Sequence, residues 1–313
     1  MKPNRLHAPM LITVIVTFAV LSILSYVAFN YGKTHGYIEV VPTGKGKILG
    51  LKAENFFTDQ ISLEICKSIS SNDIDRLKTL LDQCPDVNVK GKKNVTFLLF
   101  ALCKENEKAF RLLLEKGADP AIRSTGTIYF EGNRDPYRRI TSGDTVTYLA
   151  AIWYRPIYLQ LILRNNGDPN LIDPRSKLTP VYYTSGRHTS QDNFRVAEDR
   201  KTKLEALIAA GADIEYRIPG QDNLLLRTTY QPSILILLQN GADFRVLNSD
   251  GEDFVLLLAG RLLKEPENRD LRKWLDENGY DIEAAKKAVA TLEKPITLPF
   301  EERPWLPKRL PEE

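Results

Sequence analysis

The fold is decided by the stretch Leu113-Leu114-Glu115-Lys116-Gly117-Ala118-Asp119-Pro120, because the same pattern returns five more times along the chain. The leucine pair is typical of the inner face of a helix. The Gly that follows, or an Asn in its place, takes the left-handed conformation that ends a helix. The Asp then opens a turn through its side-chain oxygen. The sequence therefore predicts six helix stops of one design. Three close copies lie at 162–169, 207–214 and 237–244, and two weaker ones at 80–86 and 274–281.

The distances between these stops form a second pattern. Thr96 and Thr145 each open an apolar run, and each stands equally far before the next landmark, Asp119 for the first and Asp168 for the second. The two patterns together resemble the ankyrin repeat, a unit of about 33 residues with a Thr-Pro-Leu-His-x-Ala opening and two antiparallel helices. The interval from Asp86 to Asp119 equals that repeat length. The resemblance implies a solenoid of stacked helix pairs.

The repeats depart from the regular family pattern. The landmarks Asp86, Asp119, Asp168, Asp213, Asp243 and Asp281 are unevenly spaced. The two long intervals, which follow Asp119 and Asp168, predict insertions near 123–144 and 185–200. The short interval after Asp213 predicts a clipped repeat around 220–235. The histidine of the family's opening is missing throughout, so its hydrogen bond between neighbouring repeats is absent or replaced. Looser openings begin at Thr179 and Asp253.

We therefore predict an all-α ankyrin-repeat solenoid of about six degenerate helix pairs over residues 56–290, after one N-terminal transmembrane helix. Residues 30–55, with five glycines and a proline, are expected to be a linker. The end of the chain, 291–313, is rich in proline and cannot be helical. Trp305 and Phe300 give that segment apolar surface to bury, so it either caps the last repeat or is a disordered tail.

The N-terminal region predicts a membrane anchor. Residues 8–29 carry no charge and reach about 33 Å as a helix, enough to cross a bilayer core of about 30 Å. A cleaved signal peptide is the alternative, but its apolar core would be about 7–15 residues long. Lys2 and Arg5 favour a cytoplasmic tail at 1–7. We therefore expect a single-pass protein of the inner (cytoplasmic) membrane whose larger domain faces the periplasm of a Gram-negative bacterium, although Lys33, Lys45 and Lys47 oppose this orientation.

Composition and motifs exclude several functional classes. The chain has 43 Lys and Arg against 40 Asp and Glu, so it lacks the excess positive charge of a nucleic-acid binder. No nucleophile elbow, zinc-protease helix or Cys-x-x-Cys pair is present. The three cysteines have no metal-ligand spacing and are expected to be buried apolar residues. We therefore predict no enzymatic activity, no cofactor and no metal site.

The insertion at 123–144 is the first candidate binding site. Tyr and Arg, which are enriched at interface hot spots, are frequent in it. In an ankyrin stack it lies in the finger at the edge of the concave face. The alternative is a solvated loop, which is tolerated because insertions cost little free energy. The second insertion offers Arg187 and His188, where both interpretations stay open. The candidate residues of the first insertion are Arg123, Tyr129, Phe130, Glu131, Arg134, Asp135, Tyr137, Arg138 and Arg139.

Repeat frames of this kind present a long, fairly rigid surface, so little ordering entropy is lost on binding. We therefore expect the partner to be another protein and the chain to be a monomer when alone. A single anchor and a degenerate ankyrin domain in the periplasm resemble immunity proteins against lipase effectors of type VI secretion. That resemblance implies occlusion of a toxic phospholipase. The alternative is a scaffold or adaptor of an envelope complex without an inhibitory role.

Overall fold

The computed structural model describes residues 51–129, 139–185, 194–218, 222–262, 267–294 and 296–307. In these residues the chain forms successive pairs of short helices, followed by one further helix. In chain order the elements are α1 (Gln60–Ser71) with α2 (Ile74–Gln83), α3 (Phe97–Cys103) with α4 (Glu107–Glu115), α5 (Val146–Ile152) with α6 (Pro156–Arg164), α7 (Pro180–Ser185) with α8 (Phe194–Ala209), α9 (Leu224–Arg227) with α10 (Gln231–Gln239), α11 (Phe254–Leu262) with α12 (Arg269–Glu277), and α13 (Ile282–Val289).

The helix pairs stack into two layers. The first helices follow one another along one layer, with α1 against α3, α3 against α5 and α5 against α7. The second helices form the other layer from α2 through α4, α6, α8 and α10 to α12. Each pair buries its apolar faces against the pairs before and after it, which is the arrangement of a repeat solenoid. This architecture fits the ankyrin-type frame expected from the sequence.

One continuous core runs between the two layers. Every side chain of α3 is buried, from Phe97 to Cys103. Leu113 and Leu114, the pair that defines the repeated pattern, are 0% and 5% exposed. Phe110 of α4 meets Tyr158 of α6 edge to face, with ring centroids 5.1 Å apart. Burial of this leucine pair confirms that the pattern places its two leucines on the inner face of the helix, just before the helix ends.

Five of the six helix stops adopt the predicted left-handed conformation. At the weak copy 80–86 the prediction is wrong, because Cys84 precedes a proline and is extended. In the last copy Asp281 caps α13 instead of opening a turn. Gly117, Gly211 and Gly241 have φ angles of +85°, +87° and +81°, and Asn166 takes the same region at +61°. A residue with a side chain is disfavoured there, which explains the Gly or Asn of the pattern. The landmark Asp119 then accepts a hydrogen bond from the Ala121 backbone N–H at 2.7 Å. Asp86, Asp168, Asp213 and Asp243 make the same turn bond to the residue two positions on.

The openings of the repeats are helix N-caps. The Thr96 hydroxyl accepts from the Leu99 N–H at 3.2 Å, and the Thr145 hydroxyl accepts from the Tyr148 N–H at 3.1 Å. Such caps satisfy a backbone donor that the helix leaves without a partner. Tyr182 stands where the family has its histidine, and its hydroxyl donates to the Tyr216 carbonyl of the following turn at 2.7 Å. At this repeat the missing histidine bond is therefore replaced.

The irregular spacings correspond to three local features. The first insertion begins and ends in an antiparallel strand pair, β1 (Ile128–Tyr129) with β2 (Arg139–Ile140). In the second insertion α8 already begins at Phe194, so the end of that range extends a 16-residue helix. The repeat predicted to be clipped has a first helix, α9, of only four residues. The two-residue strands are a small addition to the all-α fold.

The proline-rich end is ordered on the last repeat over residues 296–307, here called the C-terminal strap. Trp305 is 1% exposed, and its indole N–H donates to the Asp253 carboxylate at 2.9 Å. The Arg303 guanidinium lies 2.7 Å from the same carboxylate, with both side chains fully buried. The Ile296 N–H donates to the Asp250 carbonyl at 2.8 Å. The strap therefore covers the open end of the stack, which was one of the two alternatives for this segment. The prediction that the segment has no helix is wrong in one place, because a single 3-10 turn, Phe300–Glu302, fits between two prolines.

At the other end Leu51, the first residue that the structure describes, is already 4% exposed, five residues before the boundary expected at residue 56. Phe57 stacks on Phe97 of α3 with ring centroids 5.2 Å apart. Within the residues that the structure describes, none of the helices has the length and apolar character needed to cross a membrane. The anchor predicted at residues 8–29 lies outside them.

Candidate functional site

The loops between repeats form one edge of the stack, and side chains tie each loop to the next. The Asn88 amide donates to the Gly117 carbonyl at 3.2 Å and accepts from the Asp119 N–H at 2.7 Å. Asn170 makes the same two contacts to Gly211 and Asp213, at 3.1 and 2.7 Å. Each of these amides stands two residues after a landmark Asp. The result is a ladder of bonds that fixes the spacing of the loops, here called the loop edge.

The ladder changes its chemistry at two steps. At the fourth loop Glu215 takes the amide's place and accepts from the Asp243 N–H at 2.7 Å. At the second loop the equivalent residue is Ala121, which has no side-chain donor or acceptor. There Arg123, two residues later, donates from Nη2 to the Ile172 carbonyl at 3.2 Å. Arg123 thus connects the loop that carries the insertion to its neighbour.

The β1–β2 hairpin is fixed at its base. Ile128 pairs with Ile140, and these side chains are 3% and 1% exposed, so the base lies in the core. On the side of the preceding repeat, the Thr125 N–H donates to the Lys93 carbonyl at 3.0 Å, and the Lys93 ammonium donates to the Thr127 carbonyl. The two described strands of the hairpin are therefore held against the repeat frame.

On the other side the hairpin base is joined to the third loop by a polar cluster, in which the carboxylates are buried and Arg175 is exposed. The Asp144 carboxylate accepts from the Thr141 N–H at 2.6 Å and pairs with the Arg175 guanidinium. Arg175 also lies 3.5 Å from Asp173, which accepts from the Tyr183 hydroxyl at 3.2 Å. Burial raises the pKa of the Asp144 carboxyl in spite of these bonds. Burial also acts on Asp173, but the Arg175 N–H, other hydrogen bonds and the Arg175 charge lower its pKa on balance.

Arg123 lies in a narrow cleft beside this cluster. Its Nη1 is buried and has no hydrogen-bond acceptor within the described residues. Leu171, Ile172 and Tyr183 contribute to the walls of the cleft, whose free space of about 10 Å³ has room for at most one water molecule. A buried guanidinium nitrogen without an acceptor costs free energy. The cleft is too small for a substrate, and Nη1 lies too deep in it to meet a side chain of a partner.

The structure places the sequence-predicted site residues unevenly. Arg123 is on the loop edge as described, and Tyr129 and Arg139 are partners in the hairpin ladder. Arg139 is exposed beside the buried Ile140. The remaining candidates of both insertions lie outside the described residues: Phe130, Glu131, Arg134, Asp135, Tyr137, Arg138, Arg187 and His188. The involvement of all these residues in partner binding stays a prediction.

Two exposed apolar side chains on the loop edge were missed in the sequence. Ile172 is 41% exposed and Leu247 is 40% exposed, and within the described residues only Val289 joins them as a large exposed apolar side chain. Both stand four residues after a landmark Asp, at Asp168 and Asp243. Aligning the repeats on the landmark would have shown apolar residues at a position that is basic in the other loops.

The described residues bear on two kinds of chemistry, the binding of a metal ion and the reaction of a thiolate. In this part of the chain no three His, Cys, Asp or Glu side chains are grouped closely enough to bind a metal ion. Cys66 and Cys103 are buried, and burial raises the pKa of the Cys66 thiol, so this thiol is protonated at neutral pH. The features that stand out are the anchored hairpin and the row of loops.

Comparisons with known proteins bear on the fold alone. No protein-family model matches the chain, and no curated protein sequence matches it. A crystal structure of an ankyrin repeat domain from Acinetobacter baumannii is similar over 72% of this chain and 97% of its own, with 18% sequence identity and a TM-score of 0.47. A second crystal structure, described as an ankyrin repeat protein, is similar over 63% of this chain and 90% of its own, with 16% identity and a TM-score of 0.46.

Proposed function

We propose that this chain is a protein-binding module and not an enzyme, and that it recognises its partner through the loop edge and the β1–β2 hairpin. The observation that carries the proposal is the anchoring of the hairpin on both sides. Ile128 and Ile140 fix its base in the core, and the Asp144–Arg175 pair joins it to the next loop. An arm fixed in this way loses little conformational entropy when a partner binds.

We further propose that residues 8–29 anchor the module in the inner membrane and that the repeats face the periplasm. The support is the uncharged length of that stretch and the Lys2 and Arg5 that precede it. The test is to wash membranes of producing cells with carbonate. The full chain is expected in the membrane fraction. Recovery of a mature chain that begins beyond residue 28 would contradict an uncleaved anchor.

The biological role proposed for the module is immunity. A tethered inhibitor has a raised local concentration at the membrane surface, which is where a secreted phospholipase effector acts. The hairpin would occlude the active site of such an effector. The alternative role is a scaffold of an envelope complex. The two differ in one measurable respect, because an immunity protein abolishes its partner's activity at an equimolar ratio and a scaffold does not.

Site-specific photocrosslinking in membranes of producing cells tests the binding site. A photoreactive residue replaces Arg139, which is exposed on the hairpin, and in a matched control it replaces Lys78, which is exposed on α2. A specific cross-linked protein is expected from position 139 and not from position 78. Identical products from both positions, or none from either, would contradict the proposal. A lipase assay on the cross-linked partner then separates immunity from scaffolding.

A further inference from the structure

One position recurs on every loop of the loop edge, four residues after the landmark Asp. The residues there, here called the tips, are Lys90, Arg123, Ile172, Arg217 and Leu247. Lys90 is exposed, and the Arg217 side chain is 46% exposed. Ile172 and Leu247 are two of the three large apolar residues that are exposed in the described chain. The tips therefore form a row of three cations and two aliphatic side chains.

The tips lie in a fixed order because each loop is bonded to the next. The Asn94 amide donates to the Arg123 carbonyl at 3.1 Å, which joins the first and second loops. Arg123 itself joins the second to the third through the Ile172 carbonyl. The Tyr216 hydroxyl donates to the Lys177 carbonyl at 2.9 Å between the third and fourth loops, and Glu215 continues to the fifth. The order of the tips is therefore fixed in the chain without a partner.

The spacing expected for the row from helix packing matches one backbone conformation. Packed helices lie about 8–10 Å apart, so successive tips are separated by about that distance. A polyproline II helix has about 3 residues per turn and rises about 3.1 Å per residue. Its side chains at every third position therefore share one face at intervals of about 9 Å. A β-strand fits less well, because its side chains alternate between faces with a period of 2.

The chemistry of the tips defines the residues that such a segment would carry. Lys90 and Arg217 are exposed and suit carboxylates. Arg123 is half-buried against the Ile172 carbonyl and adds its positive charge to the row. Ile172 and Leu247 suit aliphatic side chains that exclude water from these contacts. In tip order the complementary residues are acidic, acidic, aliphatic, acidic and aliphatic. They recur with the three-residue period of a polyproline II helix.

A protein segment fits the row better than a lipid surface does. Anionic membranes are recognised by clusters of about 4–8 Lys or Arg. On this edge each basic tip has a landmark Asp four residues before it, and Arg217 also lies 3.8 Å from Glu215. Charges that alternate in this way suit individual carboxylates rather than a continuous layer of headgroups.

We propose that the tips bind a polyproline II segment of the partner in which acidic and aliphatic residues recur at every third position. This inference rests on the proposed function, because it names the partner chemistry of the same protein-binding edge. In this proposal the hairpin contacts the folded part of the partner, while the tips bind its extended segment.

The test uses the full chain in detergent and two labelled peptides of equal length. The first is Glu-Pro-Pro-Glu-Pro-Pro-Leu-Pro-Pro-Glu-Pro-Pro-Leu, and the second has the same composition with its Glu and Leu residues placed together at one end. Fluorescence anisotropy is expected to show that the first peptide binds at least about tenfold more tightly. The variant Arg217→Glu should lose that preference. The matched control is Arg111→Glu on α4, because the Arg111 side chain is 45% exposed and also lies near a glutamate, Glu107.

Four results would overturn the inference, of which three concern the peptides. These three are equal affinity for both peptides, an Arg217→Glu variant that binds like the native chain, and no binding of the first peptide. A fourth is stronger binding to vesicles of anionic lipid, lost in Arg217→Glu, since that would assign the row to a membrane surface. None of these affects cross-linking at position 139, which reports on the protein-binding role by itself.

Discussion

The buried contact between the C-terminal strap and the last repeat predicts a large and specific loss of stability. Asp253→Asn keeps an oxygen that can cap α11 but removes the charge that faces Arg303, and both side chains are 0% exposed. A buried charge that loses its partner typically costs about 3–5 kcal/mol. That is a large part of the roughly 5–15 kcal/mol by which a domain is stable. We therefore expect the variant to unfold at a much lower urea concentration.

A double-mutant cycle separates the pair from its surroundings. Arg303→Met removes the second charge and preserves most of the volume, so the double variant should be more stable than Asp253→Asn alone. Residues in one buried pair show coupling of about 0.5–3 kcal/mol. The assay is urea unfolding of the full chain, monitored by circular dichroism. The slope of the unfolding free energy against urea concentration should be the same in all variants, which shows that they unfold in the same transition. Effects of the two substitutions that simply add would refute the reasoning, because the strap would then lack a coupled contact with the repeat.

Three further predictions concern the repeat frame. Leu114→Ala in α4 should cost about 2–5 kcal/mol in thermal or urea unfolding, since Leu114 is 5% exposed, and a parent-like melt would mean that the repeat register is wrong. Gly211→Val should cost about 1–3 kcal/mol because Gly211 has a φ of +87°, whereas Gly260→Ala in α11 should not destabilise the chain; equal effects would contradict the argument from φ. Burial lowers the pKa of Lys203 to about 7 from its ordinary 10.5, so the unfolded state binds more protons between these two pH values. The free energy of unfolding should therefore rise with pH across that window. Urea unfolding of Lys203→Met at pH 7 and pH 9 should show that this rise is lost, and a rise unchanged by the substitution would refute the prediction.

The repeat frame was predictable because its signals are local. Gly117 ends its helix and Asp119 opens the next turn through bonds within a few residues, so each copy of the pattern carries its own evidence. The N-caps at Thr96 and Thr145 are equally local. The repeat period then implies stacking, because a single pair cannot bury its apolar face alone.

The contacts that complete the fold were not predictable from local patterns. Asp253 and Arg303 are 50 positions apart, and in the sequence Asp253 is only the N-cap of α11. Arg175 lies 31 positions from Asp144, so the anchoring of the hairpin could not be read from the insertion itself. Such pairings depend on which loops the stack brings together. For the same reason the sequence indicated Arg123 as a candidate binding residue through its residue type, but its bond to Ile172 could not be predicted.

The most direct test of the account compares the affinity of the cross-linked partner for two variants of the full chain. One has alanine at Tyr129, Arg134, Tyr137 and Arg138 of the insertion. The other has alanine at four exposed basic residues of the second helices, Arg76, Lys78, Lys108 and Arg111. If the insertion carries recognition, the first variant should lose at least about 2 kcal/mol of binding free energy, as at interface hot spots, with an unchanged melting temperature. Unchanged affinity in the first variant, or an equal loss of binding free energy in the second, would contradict the claim that the insertion carries recognition.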